Sequence, residues 1–468
     1  MAVRAGRRGL RRSDPRAARS ERAGRALRPG PDRGRAPRSD RRGGGRGRRA
    51  PMSLVWGTYR LVAPLIGATA PALRLVAGAE ERRLWDERLG RVAAQQDTAA
   101  WIHAASLGEA LGVGPLVGEL ARGRPGARFH LTAMTRSGRA RLRSIDPGAT
   151  LAPLDAPGIV RRFLEALDPT RLLIVETELW PHWLIEARRR GIPAAVVSAR
   201  LSPRSLVGYR RLGAPLTDLV GGLGGVLCQS EEDRARWLMI GSRPERTVVT
   251  GNLKSDALPL PAPNRALARA SLGLDPDRPL LVLGSVRPGE VRTLALAWRA
   301  IEPVLADAWQ VAAIPRHPRA SAELRAEARE AGQALVAGRA PHAGAWLWDE
   351  RPGILLDYYL AADVAFVGGT LGAYGGHNPL EPAACGAAVL IGPHHEAQRP
   401  AVRALLARGA VQIVPATPRL TPALAALLVS RETRATMAAG ALAVVAAERG
   451  VARRTVEQLV AWELWPPR

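Results

Sequence analysis

The chain has 468 residues, 47% of them hydrophobic, and 68 basic against 42 acidic residues give it a formal net charge of +26. That length can bury a large core and predicts two domains, and the apolar content excludes a wholly disordered chain. The two cysteines, Cys228 and Cys385, lie in apolar surroundings without metal-ligand spacing. They exclude a disulfide framework and a structural metal, and they point to a reducing compartment.

The charge is uneven. Residues 1–51 hold 18 arginines and 4 acidic residues and so carry +14 of the +26. The segment is rich in Arg, Gly, Pro and Ala and cannot bury enough apolar surface to fold. It reads either as a nucleic-acid-binding arm or as a disordered leader, with translation starting at Met52. No aromatic residue interleaves with the arginines, as stacking on single strands would require.

From Met52 the composition changes to "MSLVWGTYRLVAPLIGATAPALRLVAG". The apolar run Leu61–Leu73 is shorter than the ~20 residues that span a bilayer. Pro64 and Pro71 interrupt it, and Arg60 and Arg74 bracket it. With the charged "EERRLWDERLGRV" behind it, the stretch fits a monotopic membrane anchor; the alternative is an ordinary helix docked on the next domain.

Beyond residue 100, apolar runs of strand length alternate with helical periodicity. The runs at 99–106, 128–134, 171–177, 194–199, 225–230 and 247–251 read as buried parallel strands. A Pro-rich connector follows at 257–279, and a second series begins at 280–285, 310–317, 363–369, 387–393 and 410–414. Two such series predict two Rossmann-like, doubly wound α/β domains facing a cleft. Helical segments at 419–462 close the chain, one of them a candidate to pack back across the first domain.

Ligands in such sheets bind beyond the carboxyl ends of the strands, so the polar residues there carry the functional weight. "SLGE" (106–109) has capping-box spacing, so Glu109 reads either as a cap or as a general base. In "ETELWP", Glu176 and Glu178 either share one strand face and repel, raising one pKa, or supply a cap for a helix near Pro181. Thr135, Ser137, Gly138 and Arg139 sit at a helix start suited to an anion. Arg200, Arg204, Arg210 and Arg211 form a dense basic loop. In the second series, Ser285 follows one strand, and Arg316 and His317 follow another. "GGHNPLEP" offers Gly375 and Gly376 for close backbone approach, Asn378 as a cap, Pro379 at N1 and Glu381 at N3. A phosphate there, with Glu381 accepting from ribose hydroxyls, would suit a nucleotide. The glycine spacing is not the dinucleotide fingerprint.

Eight motifs in order give a family resemblance: "WIHAASLGE", "LDAPGIVRRFL", "ETELWP", "ARLSPRSLVGYRR", "CQSEEDRARW", "TGNLKSD", "IPRHP" and "GGHNPLEPAACG". From about Met52 onward the chain resembles the bacterial 3-deoxy-D-manno-octulosonic acid (Kdo) transferases. The resemblance implies a GT-B glycosyltransferase on the cytoplasmic face of the inner membrane. Its donor would be CMP-Kdo and its acceptor the lipid A precursor, in lipopolysaccharide biosynthesis. No cofactor, catalytic metal or nucleic acid is implied. Glu109 would be the general base of an inverting displacement, with Glu178 a second catalytic carboxylate. Ser285, Arg316, Gly375, Gly376, Asn378 and Glu381 would bind the donor. Thr135, Ser137, Arg139, Arg204 and Arg210 would bind the anionic acceptor. Three motifs depart from the family form. "TAMTRSG" replaces a threonine-rich run, Val286 and Val291 replace Thr and Glu, and Ala373–Tyr374 replaces Pro-His. A related enzyme using another nucleotide sugar is the alternative, and a nucleic-acid-binding protein is the alternative of another class. The expected divisions are a leader (1–51), a membrane-associated segment (52–95) and an acceptor domain (96–256). A linker (257–279), a donor domain (280–442) and a C-terminal helix (443–468) follow.

Overall fold

The computed structural model describes residues 54–95, 97–338 and 344–467. The arginine-rich leader expected at 1–51 lies outside them. Each series of apolar runs forms a seven-stranded sheet in which every pairing is parallel. The first contains β1 (Thr98–His103), β2 (Arg128–Ala133), β3 (Thr150–Leu151), β4 (Leu172–Val175), β5 (Ala194–Ala199), β6 (Gly225–Cys228) and β7 (Thr247–Val249). Its order is β3-β2-β1-β4-β5-β6-β7. The second contains β8 (Leu280–Val286), β9 (Gln310–Pro315), β10 (Leu335–Val336), β11 (Trp346–Trp348), β12 (Val364–Val367), β13 (Ala388–Ile391) and β14 (Val411–Ile413). Its order is β10-β11-β9-β8-β12-β13-β14.

These strands are apolar on both faces because helices cover both sides. The period of two divides them between two cores: Ile102, Leu173 and Val197 face one side, Trp101, Ile174 and Val196 the other. Strand order reverses between β1 and β4, and again between β8 and β12. Those two switch points are where a doubly wound sheet opens a crevice.

Five elements depart from the sequence reading. The short strands β3, β10 and β11 were not foreseen; β3 and β10 lie at sheet edges and β11 between β10 and β9. Pro64 and Pro71 do not interrupt the N-terminal helix, which runs unbroken over Leu54–Leu75. The Pro-rich connector contains the helix Arg265–Ser271, whose Arg269 donates to Asp363 at 2.6 Å and to the Ala361 carbonyl at 3.2 Å on the second domain.

The last helix, Val451–Ala461, returns to the first sheet. Its Val451, Val456 and Leu459, with Leu464 and Trp465 beyond it, are buried in the same cluster as Ile102 and Leu116. The Asp256 carboxylate accepts from the Gly450 and Ala452 amides, each at 2.6 Å, and so caps this helix from the interdomain connection. Among the described residues, one helical stretch, 431–461, is long and apolar enough to cross a membrane. Its Val444, Val445, Val451 and Leu459 are buried in the domain cores.

Candidate active site

At the first switch point, β1 leads into the short helix Leu107–Ala110, and Ser106 accepts from the Glu109 amide at 3.4 Å. The Glu109 carboxylate reaches back past the cap to the Ala105 amide at 2.6 Å, and the Ser106 hydroxyl donates to its other oxygen at 3.2 Å. The capping contact therefore leaves the Glu109 side chain half-buried at the carboxyl end of β1. Its carboxyl is pushed up to about 7, first by burial, then by the Glu176 charge and, more weakly, Glu178; the Ala105 amide and Ser106 oppose the rise. Gly138 backs this loop: a Cβ there would lie 3.1 Å from the Ser106 carbonyl carbon and 3.0 Å from Ala133 and from Thr135.

β4 ends at Val175, and the next residue, Glu176, takes a left-handed backbone with φ 64°. The expectation that Glu176 and Glu178 share a strand face therefore fails, because the strand stops first. Neither caps the following helix either; Asp155 does, accepting from the His182 and Trp183 amides at 3.3 and 3.0 Å. Glu176 is paired with Lys254 at 2.5 Å, and the Trp180 indole donates to Glu178 at 2.8 Å. Burial raises the Glu178 carboxyl, the indole bond opposes that, and the Glu176 charge adds to it. Lys254 is delivered from the end of β7, where the Leu253 amide donates to Ser198 Oγ at 3.2 Å and Asn252 accepts from the Lys254 amide at 3.0 Å.

The other expected acceptor residues separate. Thr135 caps the helix Arg136–Arg143 beside the Glu109 loop, and Ser137 is exposed there. Arg139 is committed to Glu87 in a largely buried ion pair, and Glu87 also accepts from the Leu151 amide at 2.7 Å. Arg204 and Arg210 are exposed on the helix Pro203–Arg210.

At the second switch point, Ser285 is only 4% exposed within β8, with φ 56°. It stands inside the sheet rather than at its mouth. Glu290 was not foreseen. Its carboxylate, 1% exposed, accepts from the Arg287, Gly369, Thr370 and Leu371 amides at 2.7–2.9 Å, tying the loop after β8 to the loop after β12. Gly375 and Gly376 have φ 84° and 83°, and a Cβ on Gly376 would meet the backbone of His394 and His395 at 3.1 Å. Asn378 accepts from the Leu380 amide at 3.1 Å, one residue earlier than the capping box expected, and donates weakly to Glu381. Burial raises the Glu381 carboxyl, while Asn378 and Arg316 oppose it.

Cations converge here. His377 is pushed down to about 4, by burial first and then by Arg316, Arg287 and His317, so its imidazole is neutral near pH 7. Its Nε2 and the Nε of Arg287 are buried without a hydrogen-bond partner. Among the described residues, no group of three or more His, Cys, Asp or Glu is arranged to hold a metal.

Two parallel doubly wound domains, with carboxylates at one switch point and a basic, glycine-rich loop at the other, define a GT-B type glycosyltransferase scaffold. Solved structures of UDP-N-acetylglucosamine 2-epimerases share this fold. One from Listeria monocytogenes matches at 15% identity over 79% of this chain and 99% of that one, with TM-score 0.55. One from Neisseria meningitidis bound to UDP-GlcNAc matches at 15% over 77% and 99%, with TM-score 0.54. The family model for 3-deoxy-D-manno-octulosonic-acid transferase (kdotransferase) matches residues 83–257. The 3-deoxy-D-manno-octulosonic acid transferase of Bordetella pertussis is 35% identical over 87% of this chain and 99% of its own length. That of Haemophilus influenzae is 28% identical over 77% and 86%. The chain belongs to the 3-deoxy-D-manno-octulosonic acid transferase family and is a glycosyltransferase that transfers Kdo.

Proposed function

We propose that the chain transfers Kdo from CMP-Kdo to the lipid A precursor by an inverting single displacement with Glu109 as general base. The observation that carries this reading is the Glu109 carboxylate itself: half-buried, oriented by an amide, and poised near neutral pH at a sheet's switch point. A base is most effective when its pKa lies near the working pH.

In this reading the acceptor hydroxyl gives its proton to Glu109 as its oxygen bonds to the anomeric carbon. The bond from that carbon to the CMP phosphate breaks on the opposite side, and the phosphate leaves with the electron pair. Glu178 stands beside the base to hold an acceptor hydroxyl. Lys254 pairs with Glu176 and offsets part of the negative charge that Glu176 brings to the site. Arg316 and the Gly375–Gly376 backbone receive the phosphate, and Glu381 accepts from the ribose.

The lipid side of the reaction is supported by the helix Leu54–Leu75. Trp56, Ala63 and Ala70 are buried against the first domain, while Leu61, Leu65 and Leu73 are 73%, 61% and 50% exposed. A helix with one docked face and one apolar outward face suits attachment to the cytoplasmic face of the inner membrane. The test is a donor screen with a tetra-acylated lipid A precursor and purified protein, run beside Glu109→Gln. Transfer from CMP-Kdo by the wild type and its loss in the variant are expected. Near-normal turnover in the variant would return Glu109 to a capping role alone.

A further inference from the structure

The cations of the second site outnumber what a single phosphate needs. Arg287 follows β8 and Arg316 follows β9, which is the adjacent strand. Neither guanidinium has a carboxylate partner among the described residues, in a protein where Arg139, Arg269 and Arg351 each have one. The two arginines have different surroundings. Arg316 is exposed, and its field reaches Glu381 as well as His377. Arg287 lies with its guanidinium carbon 4.5 Å from the centre of the Tyr374 ring. The Tyr374 hydroxyl donates to the Pro288 carbonyl at 3.1 Å, which fixes the ring under the guanidinium. Stacking on an aromatic face leaves the planar edge of an arginine free for a bidentate partner.

Glu290 makes this arrangement rigid. One of its oxygens accepts from the Arg287 amide at 2.9 Å and from the Gly369 amide at 2.7 Å. The loop bearing Arg287 and the loop bearing Tyr374 and His377 are thus joined by one buried carboxylate. The unpartnered Nε of Arg287 and Nε2 of His377 belong to this same cluster. Buried polar nitrogens left without partners indicate a site completed by a ligand.

The sugar of this family is an octulosonic acid, so its anomeric carbon carries a carboxylate. In a CMP-linked donor that same carbon carries the phosphate, and two anionic groups flank the bond that breaks. We propose that Arg287, held by Tyr374, is the specificity-determining residue that binds the carboxylate of the donor sugar, leaving the phosphate to Arg316 and the glycine loop. This inference rests on the CMP-Kdo reading of the site. Its physical content is discrimination. A nucleotide donor whose sugar lacks the carboxylate would leave a desolvated guanidinium unpaired, and sites built around a charged partner reject analogues that lack it.

The experiment compares two ligands that differ by the sugar, CMP and CMP-Kdo, in wild-type protein, Arg287→Gln, Arg287→Lys and Tyr374→Ala. CMP affinity is measured by titration calorimetry and the donor KM by initial rates. In Arg287→Gln the KM for CMP-Kdo should rise about 10- to 100-fold, the scale of a lost charge-assisted bidentate pair, while the Kd for CMP changes less than about 3-fold. Arg287→Lys should recover part of the loss, and Tyr374→Ala should raise KM by about 3- to 10-fold without weakening CMP. Equal losses for CMP and CMP-Kdo would assign Arg287 to the phosphate and overturn the inference, as would an unchanged donor KM. Wild-type protein that neither binds CMP nor turns over CMP-Kdo would overturn the donor assignment itself.

Discussion

Lys254 Nζ lies 2.5 Å from Glu176 Oε1, joining residues 78 positions apart and tying the segment after β7 to the loop after β4. Lys254 is the one lysine in a chain with 68 basic residues. It meets a carboxylate whose charge is second only to burial in raising Glu109. Glu109, its like-charged neighbour Glu176 and that neighbour's counter-ion Lys254 form one electrostatic unit.

Removing the carboxylate at the centre of that unit should abolish most transfer. Glu109→Gln is expected to lower the rate by roughly 10²–10⁴-fold, the scale of a lost general base. Glutamine keeps an oxygen for the Ala105 amide, so circular dichroism should be unchanged. Initial rates with CMP-Kdo and the lipid acceptor provide the check.

The pH–rate profile should follow. The active form of a base is deprotonated, so the rate should rise with pH and level off above about 7, where the Glu109 carboxyl ionises. In Glu176→Gln a like charge is gone, ionisation of Glu109 becomes easier, and the limb should move to lower pH. A limb that stays in place would sever the two carboxylates.

The same raised pKa bears on stability. In the unfolded chain this carboxyl returns to its ordinary 4.5, against about 7 when folded. Between those values the folded protein holds the extra proton, so stability is full below 4.5 and falls as pH rises through 7. Glu109→Gln should therefore melt higher than wild type at about pH 8, with the difference shrinking as the solution is acidified, in thermal scans across pH.

Glu290 should be structural at much larger scale. Glu290→Ala strands four amides, those of Gly369 and Thr370 in buried contacts, and is expected to destabilise the second domain by about 3–5 kcal/mol in urea unfolding, with Glu290→Gln intermediate because it keeps one acceptor oxygen.

How much of this was legible in the sequence depended on range. The long strands β1, β5, β8 and β9 announced themselves as apolar runs, and the capping spacing of Ser106 and Glu109 was visible because its partners are three residues apart. β3 and β10 are two residues long, too short for any period to show. Glu290 was hidden because its three distant amides lie 79–81 residues away. Lys254 leaves a signal as a solitary lysine among arginines, but its partner Glu176 lies 78 residues away and no local spacing joins the two. Arg139 misled because a helix start suited to an anion says nothing of Glu87, which is 52 residues upstream and reaches it first.

The outward apolar face of the helix Leu54–Leu75 gives a final test. Leu61→Ser with Leu65→Ser should reduce co-sedimentation with anionic phospholipid vesicles, while transfer to a detergent-dispersed acceptor persists, because neither side chain packs on the first domain.

The return of Val451–Trp465 to the first sheet has a consequence for synthesis. One apolar side of that sheet stays bare until the ribosome has made the entire second domain and the closing helix. The half that carries Glu109 is begun first and finished last, so its sheet is complete only after the whole second domain has been made.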